Sequence, residues 1–252
     1  MSAERQEEIR FLLQEHGHLT VAELAQRFGV SEMTIRRDLK NLSTLGLIQR
    51  EHGRALHPQS APNNAIFLAR LGEAEREKTL IGRVAADLVK EGESVILDAG
   101  TTTLAVAQAL NKKCIVITNS LPIASVLGNR QEITLLLTGG EVREETYSLV
   151  GPMTRSAFNG FNADKLFLAS TGVSVERGLS TTNMLESEVK QAMLSAAKEV
   201  ILVADSSKIG QVFYHTFTHW DRVDTLVTDS NLSPEAYTQL SSLGIKVIMA
   251  SV

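Results

Sequence analysis

The sequence predicts an α/β chain in two parts: an N-terminal winged helix-turn-helix and a C-terminal, mainly parallel α/β domain. Three observations carry this prediction. The stretch from Thr20 to Leu39 reads as two short amphipathic helices joined by a tight turn. From about residue 75 onward, short apolar runs alternate with helical patterns. Between them lies His57-Pro-Gln-Ser-Ala-Pro-Asn-Asn64, polar and rich in chain breakers, which reads as a linker. The expected parts are 1–56, a linker over 57–74, and 75–252.

The N-terminal elements follow from local rules. Ile9, Leu12 and Leu13 predict a first helix from about Glu4 to His16. Thr20 with Glu23 three residues later forms a capping box that satisfies free N–H groups at a helix start. Val21, Leu24, Ala25 and Phe28 recur at helical spacing, so one stripe is buried. Gly29 suits the left-handed conformation that ends such a helix. Ser31 caps the next helix, with Glu32 well placed in its first turn. Ile35, Leu39 and Leu42 point to one side of it. Met33, Arg37, Lys40 and Thr44 fall on the opposite side, flanked by Thr34 and Arg36. An exposed face bearing Arg37 and Lys40 suits a DNA major groove. Leu47-Ile-Gln-Arg50, then Gly53, Arg54, Ala55 and Leu56, read as a two-stranded wing with Arg50, His52 and Arg54 near its tip. Cations there reach a phosphate or a minor groove. The candidate DNA contacts are therefore Thr34, Arg36, Arg37, Lys40, Arg50, His52 and Arg54, and the expected partner is double-stranded DNA.

Composition restricts how that contact can work. The 252 residues carry a formal net charge of −4, so bulk charge does not draw nucleic acid. Residues 1–56 hold eight Lys/Arg and eight Asp/Glu, which leaves local patterning as the source of attraction. The 43% apolar content is ample for a packed core. One cysteine, Cys114 in the run Cys-Ile-Val-Ile117, excludes an internal disulfide and argues for a reducing compartment. No apolar run suits a signal peptide or a membrane span, so a cytoplasmic protein that does not enter membranes is expected. The histidine pairs His16/His18 and His215/His219 lack the accompanying cysteines or carboxylates of a metal site, and no metal or cofactor is expected.

In the second part a charged helix runs from about Glu73 to Lys90, with Ile81, Val84, Ala85 and Leu88 inward. Strands are predicted at Ser94–Asp98, Cys114–Thr118, Ile133–Thr138, Lys165–Ala169, Val200–Ala204, Thr225–Thr228 and Lys246–Met249. Helices are predicted at Thr103–Leu110, Leu121–Leu127, Glu186–Ala197 and Pro234–Leu243. Alternation of this kind implies a mainly parallel sheet covered on both faces. Small polar residues and glycines gather where the strands end: Asp98-Ala-Gly-Thr-Thr-Thr103, Thr118-Asn-Ser120, Thr138-Gly-Gly-Glu141, Ser170-Thr-Gly172 and Asp205-Ser-Ser-Lys208. Ligands of open parallel sheets bind beyond the carboxyl ends of the strands. Gly100, Thr101, Thr102 and Thr103 open a helix whose N–H groups and hydroxyls suit a phosphate. Asn119, Ser120, Gly139 and Gly140 are expected to border the same crevice, with Lys208 as a point charge. Asp98 is expected to orient neighbours or accept a sugar hydroxyl. Glu186 and Lys190 stand four apart, the spacing of an ion pair on a helix surface. Neither Gly-x-x-x-x-Gly-Lys-Ser/Thr nor Gly-x-Gly-x-x-Gly occurs, so no nucleotide fingerprint is present.

Taken in order, Ser31-Glu-Met-Thr-Ile-Arg-Arg-Asp-Leu39, Glu77-Lys78, Leu97-Asp-Ala-Gly-Thr-Thr-Thr103, Thr118-Asn119, Thr138-Gly-Gly-Glu141 and Val203-Ala-Asp-Ser-Ser-Lys-Ile-Gly210 resemble the DeoR family of bacterial transcriptional regulators over nearly the full chain. The resemblance implies an N-terminal winged helix and a C-terminal domain that senses a phosphorylated sugar. It also implies repression of a sugar-utilisation operon and action as a homo-oligomer, dimer or tetramer. One departure is His52-Gly-Arg-Ala55, where the family often has His-Gly-Gly-Ala. The C-terminal part is similar to ribose-5-phosphate isomerase and glucosamine-6-phosphate deaminase, which raises an enzyme as the rival. Aldose–ketose isomerisation needs a positioned base. Where the isomerase resemblance calls for an acidic Asp-Gly-Ala-Asp-Glu-like loop, this chain has Ser170-Thr-Gly-Val-Ser174. A regulator, not an enzyme, is expected.

Overall fold

The computed structural model describes residues 5–6, 8–9, 11–13, 18–44, 49–51, 54–56 and 65–251. The chain divides into two compact units, Met1–Ile66 and Phe67–Val252.

In the first unit, residues 5, 6, 8, 9 and 11–13 are helical and form α1. They are followed by β1 (His18–Thr20), α2 (Val21–Phe28), α3 (Glu32–Thr44), β2 (Gln49–Glu51) and β3 (Arg54–Leu56). The capping box is present: the Glu23 N–H donates to Thr20 Oγ1 at 3.1 Å, and the Thr20 N–H donates to the Glu23 carboxylate at 2.7 Å. Gly29 ends α2 at φ +61°, and Ser31 Oγ accepts from the Thr34 N–H at 3.3 Å. The core of this unit is Ile9, Leu13, Val21, Leu24, Ile35, Leu39 and Leu42. The wing holds three strands rather than two, because β1 pairs with β3 (Leu19 opposite Ala55) and β3 with β2 (Arg50 opposite Ala55). A three-residue β1 completes a sheet that a hairpin alone would leave marginal.

The second unit opens with α4 (Ala65–Gly72) and α5 (Glu75–Ala86). This corrects the expected linker over 57–74, since part of it is helix. Phe67 of α4 is buried in the core and meets the Tyr147 ring at 5.8 Å. Residues 57–64 lie outside the described residues. The order continues with β4 (Ser94–Leu97), α6 (Thr101–Ala109), β5 (Cys114–Thr118), α7 (Leu121–Leu127), β6 (Ile133–Leu137), β7 (Glu141–Arg143), β8 (Ser148–Val150), α8 (Pro152–Phe158) and β9 (Ala163–Leu168). It ends with β10 (Gly172–Ser174), β11 (Gly178–Thr181), α9 (Met184–Ser195), β12 (Ala197–Val203), β13 (His215–Thr218), β14 (Thr225–Asp229), α10 (Pro234–Ser242) and β15 (Lys246–Ala250).

All seven strands expected from the sequence form one sheet in the order β15-β14-β12-β9-β4-β5-β6, every pair parallel. Alternate side chains feed two cores. Val95, Leu97, Phe167 and Ile201 pack with α5, α6 and α7, while Ile96, Leu166, Leu168 and Leu202 pack with α8, α9 and α10. A parallel sheet buried on both faces needs this two-sided cover. The antiparallel pieces were not expected: the hairpin β7-β8 and the three-stranded sheet β10-β11-β13. Their strands are three or four residues long, too short for a period-two pattern to register.

The chain switches direction across the sheet at β4. From β4 it moves outward through β5 to β6, then returns so that β9 pairs with the other side of β4. The gap between the carboxyl ends of β4 and β9 is thus the topological switch point, the usual crevice of such sheets.

Close helix packing keeps α6 in place beneath that gap. A Cβ on Gly82 of α5 would sit 2.5 Å from the Ala105 carbonyl carbon of α6. Backbone does not yield as a flexible side chain would, so we expect Gly82→Ala to destabilise the fold by about 1–3 kcal/mol. Urea denaturation checks this, and an unchanged midpoint would mean that the two helices can separate freely.

Candidate functional site

Two surfaces merit description, one on each unit. On α3, Ile35, Leu39 and Leu42 are buried, while Arg36, Arg37 and Lys40 are exposed and Thr34 is half-buried. Met33, 80% exposed, shares the outward face. This is the division the spacing predicts. Arg36 is paired along the helix with Glu32 at 3.1 Å, on the flank of that face. Arg50 lies in β2 and Arg54 in β3, opposite Ala55 and Glu51 respectively. His52 falls outside the described residues.

Sequence reasoning missed Asp38, which is fully buried. Its carboxylate accepts from Arg5 Nε at 2.7 Å and from Gln6 Nε2 at 3.0 Å. The recognition helix is therefore tied to α1 by a charge pair as well as by apolar contact. The signal was available: residue 38 is three beyond Ile35 and four before Leu42, on the buried stripe.

In the second unit a crevice of about 380 Å³ opens at the switch point, within the usual size for a small-ligand site. One wall is Ala99, Gly100, Thr101 and Thr102 at the start of α6, a helix that no side chain caps. Ser170 and Thr171 follow β9, and Ser207 and Lys208 follow β12. Arg70 and Glu73 close another side, with Lys78 on α5 and Glu186 and Lys190 on α9.

Beneath the crevice, the buried Asp98 joins three elements. Its Oδ1 accepts from the Ala99 N–H at 2.8 Å, and its Oδ2 from the Ala169 N–H at 3.0 Å. The same carboxylate pairs with Lys190, whose ammonium also donates to the Ala169 carbonyl at 3.0 Å and lies 5.5 Å from the Phe217 ring centre. Burial pushes the Asp98 carboxyl upward from its ordinary pKa, against the Lys190 charge and the Ala169 N–H, which pull it down. Lys190 and Glu186 are therefore not partners on a helix surface. Glu186 instead accepts from the Thr181 hydroxyl at 2.9 Å and lies 3.2 Å from Arg143 Nε.

Of the expected effector residues, Gly100, Thr101, Thr102 and Lys208 line the crevice. Lys208 also stands 4.0 Å from Glu73. Asp98 is under it, engaged as described. The others do structural work and are not among the lining residues. Thr103 Oγ1 donates back to the Gly100 carbonyl at 3.0 Å. Asn119 Nδ2 donates to the Leu149 carbonyl at 2.9 Å, which fixes the β7-β8 hairpin against β5. Ser120 caps α7. Gly139 and Gly140 pass against α8, where a Cβ on Gly140 would fall 2.8 Å from the Val150 carbonyl oxygen and on top of the Thr154 hydroxyl. At these positions the small strand-end residues cap a helix and allow close packing. Lys78, Ser170, Thr171 and Lys190 are among the lining residues that the strand-end reading did not assign to the ligand.

Among the described residues, no group of three His, Cys, Asp or Glu could hold a metal ion. No helix among them is long and apolar enough to cross a membrane.

Comparison with known proteins gives this arrangement a family. Residues 5–61 match the model of the DeoR-like helix-turn-helix domain, and residues 73–230 match that of the DeoR C-terminal sensor domain. The HTH-type transcriptional regulator GlpR of Haloferax volcanii is 35% identical over 98% of this chain and 98% of its own. The chain belongs to the DeoR family of transcriptional regulators. A second DeoR-type relative, the putative aga operon transcriptional repressor of Escherichia coli O157:H7, is 31% identical over 98% of this chain and 94% of its own. The lactose phosphotransferase system repressor of Streptococcus mutans is 35% identical, with 90% of this chain and 91% of its own covered. Among solved structures, a ribose 5-phosphate isomerase of Methanocaldococcus jannaschii aligns over 54% of this chain and 55% of its own, with a TM-score of 0.41 and 17% identity. As a DeoR-family member the chain is a DNA-binding transcriptional regulator rather than an enzyme, and its two units are the DNA reader and the sensor.

The buried pair under the crevice gives a test of its own. Asp98→Asn keeps the shape but leaves the Lys190 charge without its counter-ion. Breaking a buried pair in this way costs about 3–5 kcal/mol. We expect that loss in urea denaturation, and a partial recovery in Asp98→Asn/Lys190→Met, where the stranded charge is also removed. A loss under about 1 kcal/mol for the single variant would contradict the role given to the pair.

Proposed function

We propose that this regulator represses an operon for use of a sugar or sugar derivative, and that a phosphorylated sugar binding in the crevice releases it from DNA. The observation that carries this reading is the uncapped start of α6. There Gly100, Thr101 and Thr102 open on a crevice that also bears Lys208. A helix N-terminus offers N–H groups and the positive end of its dipole, which favours a phosphate. Ser170, Thr171 and Glu186 offer hydrogen-bonding groups suited to sugar hydroxyls on the remaining walls. The names of the aga operon and lactose repressors fit a sugar-linked role.

On the DNA side, Arg37 and Lys40 are the principal contacts, with Thr34 and Arg36 beside them and Arg50, His52 and Arg54 of the wing segment as further contacts. The reader has no excess of positive charge, so one copy makes few phosphate contacts. Action as a homo-oligomer, dimer or tetramer, on repeated half-sites supplies the missing affinity through effective concentration. Effector binding then works by linkage. It favours an arrangement that presents two readers at the wrong spacing, a coupling of typically about 1–3 kcal/mol.

For the reader, Arg37→Ala is expected to weaken operator binding by about 1–3 kcal/mol, as loss of a bidentate base contact does. Lys40→Ala is expected to weaken all DNA about equally and to flatten the salt dependence. Fluorescence anisotropy at several salt concentrations separates the two, and wild-type affinity in both variants would remove α3 as the reading helix.

For the sensor, thermal-shift screening of phosphorylated sugars is expected to yield a compound that stabilises the protein by mass action. Thr102→Glu adds bulk and negative charge at the start of α6. It is expected to abolish release from DNA by that compound while operator affinity stays at the wild-type level. Ordinary release in this variant would mean that the effector binds elsewhere.

A further inference from the structure

The outward face of α3 carries one side chain that the polar DNA contacts do not use. Met33, in the first turn, is 80% exposed, the most of any large apolar side chain among the described residues. It stands opposite the buried Ile35, Leu39 and Leu42, one turn before Arg37. The core of the reader does not include it. The polar groups beside it are already paired along the helix. On one flank the Glu32 carboxylate accepts from Arg36 at 3.1 Å. On the other the Ser31 and Thr34 hydroxyls lie 3.0 Å apart, and the Thr34 N–H donates to Ser31 Oγ at 3.3 Å. Between these two pairs the Met33 thioether projects as an apolar prong.

The N-terminal residues of a reading helix are those that meet base edges in the major groove. Those edges carry hydrogen-bond donors and acceptors, with one apolar exception, the 5-methyl group of thymine. A polar side chain at position 33 would pair with a donor or an acceptor. Methionine offers at most a weak acceptor, so burial against the methyl group is what rewards it. Its unbranched, rotatable chain adapts readily to such a contact. We propose that Met33 is a specificity-determining residue that reads thymine, packing on its 5-methyl group in the major groove. This inference rests on α3 being the reading helix. Four residues separate Met33 from Arg37, about 6 Å along the helix or about two base steps. The thymine therefore lies within about two base pairs of the base that Arg37 contacts. The two side chains divide the work: Arg37 selects by hydrogen bonding and Met33 by apolar contact.

The test uses the full-length protein and the duplex it binds most tightly from a random-sequence library. Each thymine of that duplex is replaced in turn by deoxyuridine, which removes the 5-methyl group and keeps the base pairing. Fluorescence anisotropy gives the affinities. At one thymine per half-site, the replacement is expected to weaken wild-type binding about fourfold, the worth of one buried methyl group. Met33→Ala is expected to weaken binding to the thymine duplex by a similar factor and to bind the thymine and deoxyuridine duplexes equally. So exposed a side chain leaves the fold intact when shortened to alanine, a good helix former, and an unchanged urea midpoint verifies this. Should the variant fold poorly, the wild-type scan decides. Equal wild-type affinity for every deoxyuridine duplex overturns the inference. A deoxyuridine penalty that Met33→Ala keeps in full overturns it too, as do half-sites that share no thymine. These outcomes leave α3 as the reading helix as long as Arg37→Ala weakens binding. Wild-type affinity in both Arg37→Ala and Lys40→Ala, or a library from which no duplex is enriched, removes the reading helix and this inference with it.

Discussion

The second unit depends on one buried charge pair. Asp98 leaves the end of β4, takes the N–H groups of Ala99 and Ala169, and is paired with Lys190 of α9. These bonds span the two strands between which the sheet reverses its direction of growth. A carboxylate alone at this depth would be costly, as would an ammonium, and each is kept by the other and by the backbone around it. The Ala169 carbonyl takes a further Lys190 donor, so the pair fixes the turns that leave both strands. The positions of Gly100, Thr101 and Thr102 on one side, and of Ser170 and Thr171 on the other, follow from it. The crevice has a floor because this pair is satisfied.

The first unit uses the same device with a different purpose. Asp38 is turned into the core of the reader and holds Arg5 and Gln6 of α1. Apolar packing of Ile9, Leu13, Ile35 and Leu39 is non-directional, so it fixes how near the helices lie more strongly than how they are rotated. A charge-assisted hydrogen bond with defined geometry adds rotation to that control. Rotation of α3 matters here, since a turn of about 100° would carry Arg37 away from the outward face.

Glycine use shows how tightly the sensor is built around its crevice. At Gly82 the backbone of α6 approaches within a distance no side chain allows, and at Gly140 the Val150 carbonyl of β8 and the Thr154 hydroxyl of α8 do the same. Gly140 also adopts φ +144°, a conformation that disfavours other residues. The first of these contacts holds α6, whose start lines the crevice. Rigid support of this kind lets a small ligand shift the balance between states rather than merely distort a soft pocket.

Local rules in the sequence determined the helix-turn-helix, its capping box, the left-handed Gly29 and all seven strands of the parallel sheet. Those features are set by periodicity and by neighbours within four residues, information that one stretch of chain carries. The same rules placed Arg37 and Lys40 outward and identified Gly100, Thr101 and Thr102 at a helix start. Tertiary structure alone decided which strand ends meet. Asn119, Ser120, Gly139 and Gly140 look like Gly100 and Thr101 in composition, yet β5 and β6 lie outward of β4, away from the switch point, and their ends serve capping and close packing. Lys190 looked like half of a surface pair with Glu186, whereas Asp98, far off in sequence, took it as a buried partner. Lys78 read as part of a charged helix and of the Glu77-Lys78 motif, with no contact assigned to it. Its contacts depend on α4, which the linker reading over 57–74 passed over, because eight residues give a helical period little room to register. Strand order and long-range charge pairing are properties of the whole chain's packing, and no local window of sequence contains them.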